Sequence, residues 1–92
     1  MPIAREFFGP GWTGAQYDQL IEMMDLDGKA APGVLFHWAA VTEDGVHAVD
    51  VYESVDAADA LVTDKVGPAA GALGLAAPQI KQYDVRGYLT PG

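Results

Sequence analysis

From Gly33 to Ser54 the chain carries two apolar runs, "GVLFHWAAV" and "VHAVDVYES", parted only by Thr42-Glu43-Asp44-Gly45. Both runs are short and dense in Val, Phe, Trp and Tyr, which fits a pleated, half-buried surface better than a helix. The Asp-Gly pair between them is a strong hairpin signal. A type I′ turn centred on Asp44-Gly45 is expected, because both central positions of that turn need positive φ. Strands over Val34–Val41 and Val46–Ser54 therefore stand side by side and antiparallel, and the rest of the chain must pack around them.

The flanks supply the packing. Ile3 to Phe8 reads as a strand ended by the breaker run "GPG". Thr13 and Gln16 have capping-box spacing, and Trp12 and Tyr17 occupy the two positions of a hydrophobic staple. Tyr17, Leu20, Ile21 and Met24 then recur at helical spacing, and "DLDGKAAPG" ends that helix. Ser54 is an N-cap for "VDAADALVTDKV", in which Ala58, Leu61, Val62 and Val66 form the apolar stripe. Gly67-Pro68 interrupts this helix, and "PAAGALG" adds one loose turn with Pro68 at its first position. Gln79 to Leu89 alternates, with Tyr83, Val85 and Leu89 on one side and Gln82, Asp84, Arg86 and Tyr88 on the other.

The order is strand, helix, strand, strand, helix, strand: an α+β chain with the ferredoxin-like βαββαβ pattern, a single domain over residues 1–92. Helices cover one sheet face. The strands are too apolar to leave the other face to water, so a second copy packed face to face, a homodimer, is expected.

Thirteen acidic against five basic residues give a formal charge of −8, which disfavours nucleic acid and anionic membrane surfaces as partners. No apolar run approaches a membrane span, and no cleavable signal pattern opens the chain, so a cytoplasmic protein is expected. There is no cysteine, and two distant histidines make a poor metal set; no metal or cofactor is expected. "GPGWTG" matches the dinucleotide fingerprint, yet the chain continues into a hairpin and not a parallel βαβ unit, so its glycines serve a turn. Asp25 and Asp27-Gly28 resemble the start of a calcium loop whose later ligands are missing.

His37 is the polar exception in the first apolar run. A two-residue turn at Asp44-Gly45 sets His37 opposite Tyr52, whereas a four-residue loop, "TEDG", sets it opposite Asp50. In both registers His37, Asp50 and Tyr52 share one face; a three-residue loop with a bulge at Gly45 would part them. Val49 and Val51 fall on the opposite face with Phe36 and Trp38, which suits a helix-covered side. Asp50 would then fix the tautomer of His37, and Tyr52 would donate to a bound oxygen. Leu35 and Ala39, two positions either side of His37, and Arg86 and Tyr88 from the last strand complete the expected ligand contacts. Arg5, Asp84 and Arg86 are read as rim ion pairs, and His47, of opposite parity to His37, as a surface residue.

"GVLFHWAA", "DGVHAVDVYES" running into a helix, "GPAAGALGL" and "YDVRGYL" together resemble the small dimeric α+β barrel proteins related to antibiotic-biosynthesis monooxygenases. That resemblance implies a homodimer whose two four-stranded sheets form a barrel, with His37 and Tyr52 at pocket-lining positions. It also implies activities such as cofactor-independent oxygenation of phenolic polyketides, isomerisation or haem degradation. The chain has no asparagine, so the Asn-Trp-His set of the haem degraders cannot be assembled, and Tyr52 stands where many relatives have tryptophan.

The expected function is a barrel that encloses an apolar, aromatic or polyketide-like small molecule. In its enzymatic form, a cofactor-independent monooxygenase or isomerase/cyclase, His37 is the general base, Tyr52 stabilises the oxyanion and Asp50 holds the imidazole. The competing expectation is a non-catalytic ligand-binding or stress-response barrel with a structural histidine.

Overall fold

The structure, a computed structural model, describes residues 2–29 and 31–87. Strands β1 (Ile3–Pro10), β2 (Val34–Thr42), β3 (Gly45–Tyr52) and β4 (Gln79–Asp84) form one sheet in the order β2-β3-β1-β4. Every neighbouring pair is antiparallel. Helix α1 (Gly14–Met24) joins β1 to β2, and α2 (Val55–Leu61), a π turn (Val62–Val66) and α3 (Gly67–Ala72) join β3 to β4. This is the ferredoxin-like βαββαβ order expected from the sequence.

Local signals start both helical segments. The Thr13 hydroxyl accepts from Gln16 N–H at 3.2 Å while Gln16 Oε1 accepts from Thr13 N–H at 2.9 Å, a complete capping box. Ser54 Oγ accepts from Ala57 N–H at 3.1 Å at the start of α2. The second helix is not interrupted at Gly67-Pro68. Its backbone stays helical through Val66 and Gly67, and the chain widens into the π turn, in which Gly67 N–H donates to Val62 C=O. Pro68 has no N–H for the usual bond to residue 64, and a wider turn accommodates that loss without ending the helix.

The hairpin takes the register that sets His37 opposite Asp50, with Thr42 opposite Gly45. Its turn is not type I′. The central residues are Glu43 and Asp44, neither of which has positive φ, and Gly45 follows them at φ 150°. The reason lies outside the hairpin. A Cβ on Gly45 would collide with the Gly9 carbonyl oxygen, and Gly11 N–H donates to Asp44 C=O at 2.8 Å, so the hairpin tip is seated on the β1–α1 turn. Gly9 is itself needed there, because a Cβ on it would run into the Trp12 ring.

The assignment of faces from the sequence is reversed. Helices cover the face bearing Ile3, Val46, Asp50 and Tyr52, whereas Phe36, Trp38 and Val49 stand on the open face. The stripe on α1 decides this: buried Leu20 and Met24 form one core with Ile3, Val46 and Tyr52, joined by Leu61 and Ala69 from the second helical segment. Phe36 and Trp38 remain 41% and 45% exposed. The last strand ends at Asp84, and residues 85–87 follow outside it; Val85 N–H still reaches Pro2 C=O at 3.1 Å, and the expected continuation to Leu89 lies outside the described residues.

Candidate functional site

Helix α1 leans on α3 and the π turn, which leaves space between it and strands β1 to β3. That space is a cavity of about 750 Å³. Tyr17, Leu20, Ile21 and Met24 wall it on the helix side, Phe7, Val46, Ala48 and Asp50 on the sheet side, and Trp12 and Leu26 at its ends. Residues 25–29 and the stretch Val34–His37 also line it. Ligand pockets commonly span roughly 300–1,000 Å³ and are mostly apolar with a few placed polar groups, and this cavity has that character.

The ladder sets the polar groups. His37 and Asp50 are direct partners across β2 and β3 and both turn inward. Just before them the register slips between Val34 and Phe36, so Leu35 is left without a ladder partner and contributes to the cavity wall. Four side chains make a continuous line. The Tyr17 hydroxyl is 2.7 Å from His37 Nε2, His37 Nδ1 is hydrogen-bonded to Asp50 Oδ1, and the Tyr52 hydroxyl donates to Asp50 Oδ2 at 2.7 Å. A carboxylate only accepts, so the network assigns the imidazole proton to Nδ1 and the lone pair to Nε2, which Tyr17 fills by donating. Asp50 is buried, and burial of such a group is tolerable because both of its oxygens have partners.

This environment keeps both phenols protonated. Burial, reinforced by the neighbouring Asp50, raises the Tyr52 phenol well above its ordinary value of 10.0. Tyr17 is also raised, first by burial and then by the negative charges of Asp50 and Asp18.

Of the residues singled out in the sequence, His37, Asp50 and Leu35 line the cavity. Tyr52 does not. It is fully buried behind Asp50, and its hydroxyl proton is committed to that carboxylate, so it supports Asp50 where a donor to ligand was expected. Ala39 pairs with Ala48 beyond the cavity wall, and only Ala48 contributes to the lining. Arg86 is exposed past the end of β4 and off the cavity, because the strand stops two residues earlier; Tyr88 lies outside the described residues. Arg5 ties the sheet to α2 through Asp59 at 2.7 Å and to Gln82 at 2.9 Å. His47 is exposed and packs against Phe8 on the open face, their rings tilted by 34° with centroids 4.7 Å apart.

Tyr17 is the site residue that sequence reading passes over. It fills a helical-stripe position and a staple position, either of which accounts for its ring; only its hydroxyl, unusual on an otherwise apolar stripe, hints at a second role. Among the described residues no three His, Asp or Glu side chains cluster as a metal site requires. No helix there is long and apolar enough to cross a membrane.

Neither family models nor curated proteins give a match to this chain. Solved structures do. NE2512, a protein of unknown function from Nitrosomonas europaea, superimposes with a TM-score of 0.76 at 17% identity, over 99% of this chain and 95% of that one. SnoaB, a cofactor-independent oxygenase from Streptomyces nogalater, gives 0.63 at 19% identity over 98% and 97%. A dimeric ferredoxin-like protein of unknown function from Jannaschia sp. CCS1 gives 0.64 at 14% identity over 92% and 100%. Further neighbours are proposed antibiotic biosynthesis monooxygenases at 13%, 20% and 26% identity. The chain thus has the ferredoxin-like fold of the antibiotic biosynthesis monooxygenase-like proteins.

Proposed function

We propose that this chain is a cytoplasmic homodimer in which each subunit binds an apolar, aromatic or polyketide-like molecule bearing an acidic O–H, and that His37 takes that proton without a cofactor. The observation that carries this reading is an imidazole on the wall of an apolar cavity, held in one tautomer by a buried carboxylate. Asp50 balances the imidazolium as it forms, and Tyr52 fixes Asp50 from behind. Isomerisation or cyclisation needs only the return of the proton to another atom. Oxygenation would need dioxygen as co-reactant, reduced by the ligand anion itself.

The dimer follows from the open face. Phe36, Trp38 and Tyr83, the last 50% exposed, give a single copy more bare aromatic surface than a small monomer usually shows. A second copy seated there packs on the sheet face opposite the cavity, with Phe36 the one of these three residues that also lines the cavity. Trp38→Lys is expected to convert the dimer to a monomer in sedimentation; a wild-type chain already monomeric at micromolar concentration would refute this interface.

One observation favours the competing reading, a binding barrel with a structural histidine: both ring nitrogens of His37 already have partners within the protein. Titration with 4-nitro-1-naphthol, whose anion absorbs in the visible, at a pH about one unit below that at which the free phenol ionises, separates the two. Binding is followed by quenching of Trp12, which lines the cavity, with Trp12→Phe as the control for Trp38. Bound anion in wild type and bound neutral phenol in His37→Gln are expected. Equal spectra for the two proteins would make the histidine structural.

A further inference from the structure

Resting on that reading, we infer that Tyr17 is a second catalytic residue: its hydroxyl receives the ligand proton and hands its own to His37. Asp50 occupies Nδ1 of His37, so Nε2 is the nitrogen left for exchange with a ligand, and the Tyr17 hydroxyl already sits on it at 2.7 Å. Tyr17 also lines the cavity, and its oxygen, after donating to Nε2, keeps lone pairs to accept from a ligand O–H.

The residue is poorly placed to swing aside. It follows immediately on the capping box that fixes the first turn of α1, and its ring lies nearly parallel to the imidazole, with 10° between the planes. A ligand oxygen therefore meets Tyr17 before it meets His37.

The transfer balances. The ligand O–H bond breaks as its proton joins Tyr17 Oη, the Tyr17 O–H bond breaks as its proton joins Nε2, and the ligand keeps the electron pair as its anion. Tyr17 ends neutral and the positive imidazole faces Asp50. The two shifts are concerted, since burial and the nearby carboxylates oppose a free tyrosinate.

The test is Tyr17→Phe with the same nitronaphthol, beside wild type and His37→Gln. The expected result is unimpaired quenching of Trp12 with loss of the bound-anion absorbance in both variants. Tyr17→Phe with as much bound anion as wild type overturns the relay and leaves His37 as the direct base. Bound anion persisting in His37→Gln, or absent in wild type, overturns the functional reading itself, and the relay with it. A measurement that needs no variant is the nitrogen NMR of His37 in the ligand-free protein. A proton on Nδ1 is expected; a proton on Nε2 would make Tyr17 the acceptor and exclude its donating role.

Discussion

Tyr52→Phe removes one oxygen atom from the fully buried end of the site, and its consequence can be worked through with sign and size. At neutral pH the variant loses a 2.7 Å hydrogen bond to Asp50 and leaves one carboxylate oxygen without its donor. Hydrogen bonds to charged groups are worth roughly 1.5–3 kcal/mol, so a loss of about 2 kcal/mol is expected, or roughly 8–16 °C in Tm for a domain of this size. Above the ordinary tyrosine value of 10.0 the balance turns. The folded chain holds the Tyr52 proton where the unfolded chain has released it, so the folded state binds more protons and its stability falls as pH rises. This contribution is fully present below pH 10 and is lost at about 1.4 kcal/mol per pH unit above it, whereas the phenylalanine variant has no such proton to lose. The gap between the two proteins should close near pH 11.5, by about 2 kcal/mol over roughly 1.5 units. Urea unfolding of both from pH 8 to 11.5 measures it; lysine and the other tyrosines titrate in both and cancel. A constant gap across this range would refute the claim that Tyr52 is held protonated by burial beside Asp50.

Two further substitutions test the frame around the site. Gly45→Ala combines a φ of 150° with a collision against the Gly9 carbonyl and should cost about 3 kcal/mol or more, whereas Gly11→Ala, at φ 73° with open space around it, should cost only about 1 kcal/mol. Equal melting temperatures for the two would show that backbone angle alone, and not the seating of the hairpin on the β1–α1 turn, sets the requirement. Thr13→Ala removes the hydroxyl that accepts from Gln16 N–H, leaving only the backbone half of the capping box, and should lower stability by about 1 kcal/mol; no change in urea midpoint would mean that tertiary packing alone holds the first turn of α1.

Much of this was legible in the sequence because it is written in local chemistry. Strand alternation, the Thr13 and Ser54 caps and the order of elements are properties of neighbouring residues, and they lead to the βαββαβ fold. The shared face of His37, Asp50 and Tyr52 follows from parity, which survives a slip of two residues. What was not legible depends on contacts far apart in the chain. The choice between registers, and with it His37 opposite Asp50 in place of Tyr52, is set where Gly45 meets Gly9. Which face the helices cover could not be read from β2 and β3, because both faces carry large apolar groups; Leu20 and Met24 choose through the core they share with Ile3 and Tyr52. Tyr17 was hidden for a related reason: a tyrosine ring fits an apolar stripe, and only the folded chain brings its hydroxyl to Nε2.

Strand β2 has a consequence beyond the cavity. It forms one edge of the sheet, nine residues long, with no charged side chain and no proline, and His37 is the one strongly polar group within its apolar stretch. Unpaired edges of this kind template the stacking of chains into aggregates, and polar interruptions hold that tendency back. By this rule His37 would also act as a gatekeeper against aggregation. A His37→Leu protein would lose this polar interruption together with the imidazole, and its inactivity would report precipitation as readily as chemistry, so the polar glutamine is the replacement through which this histidine should be judged.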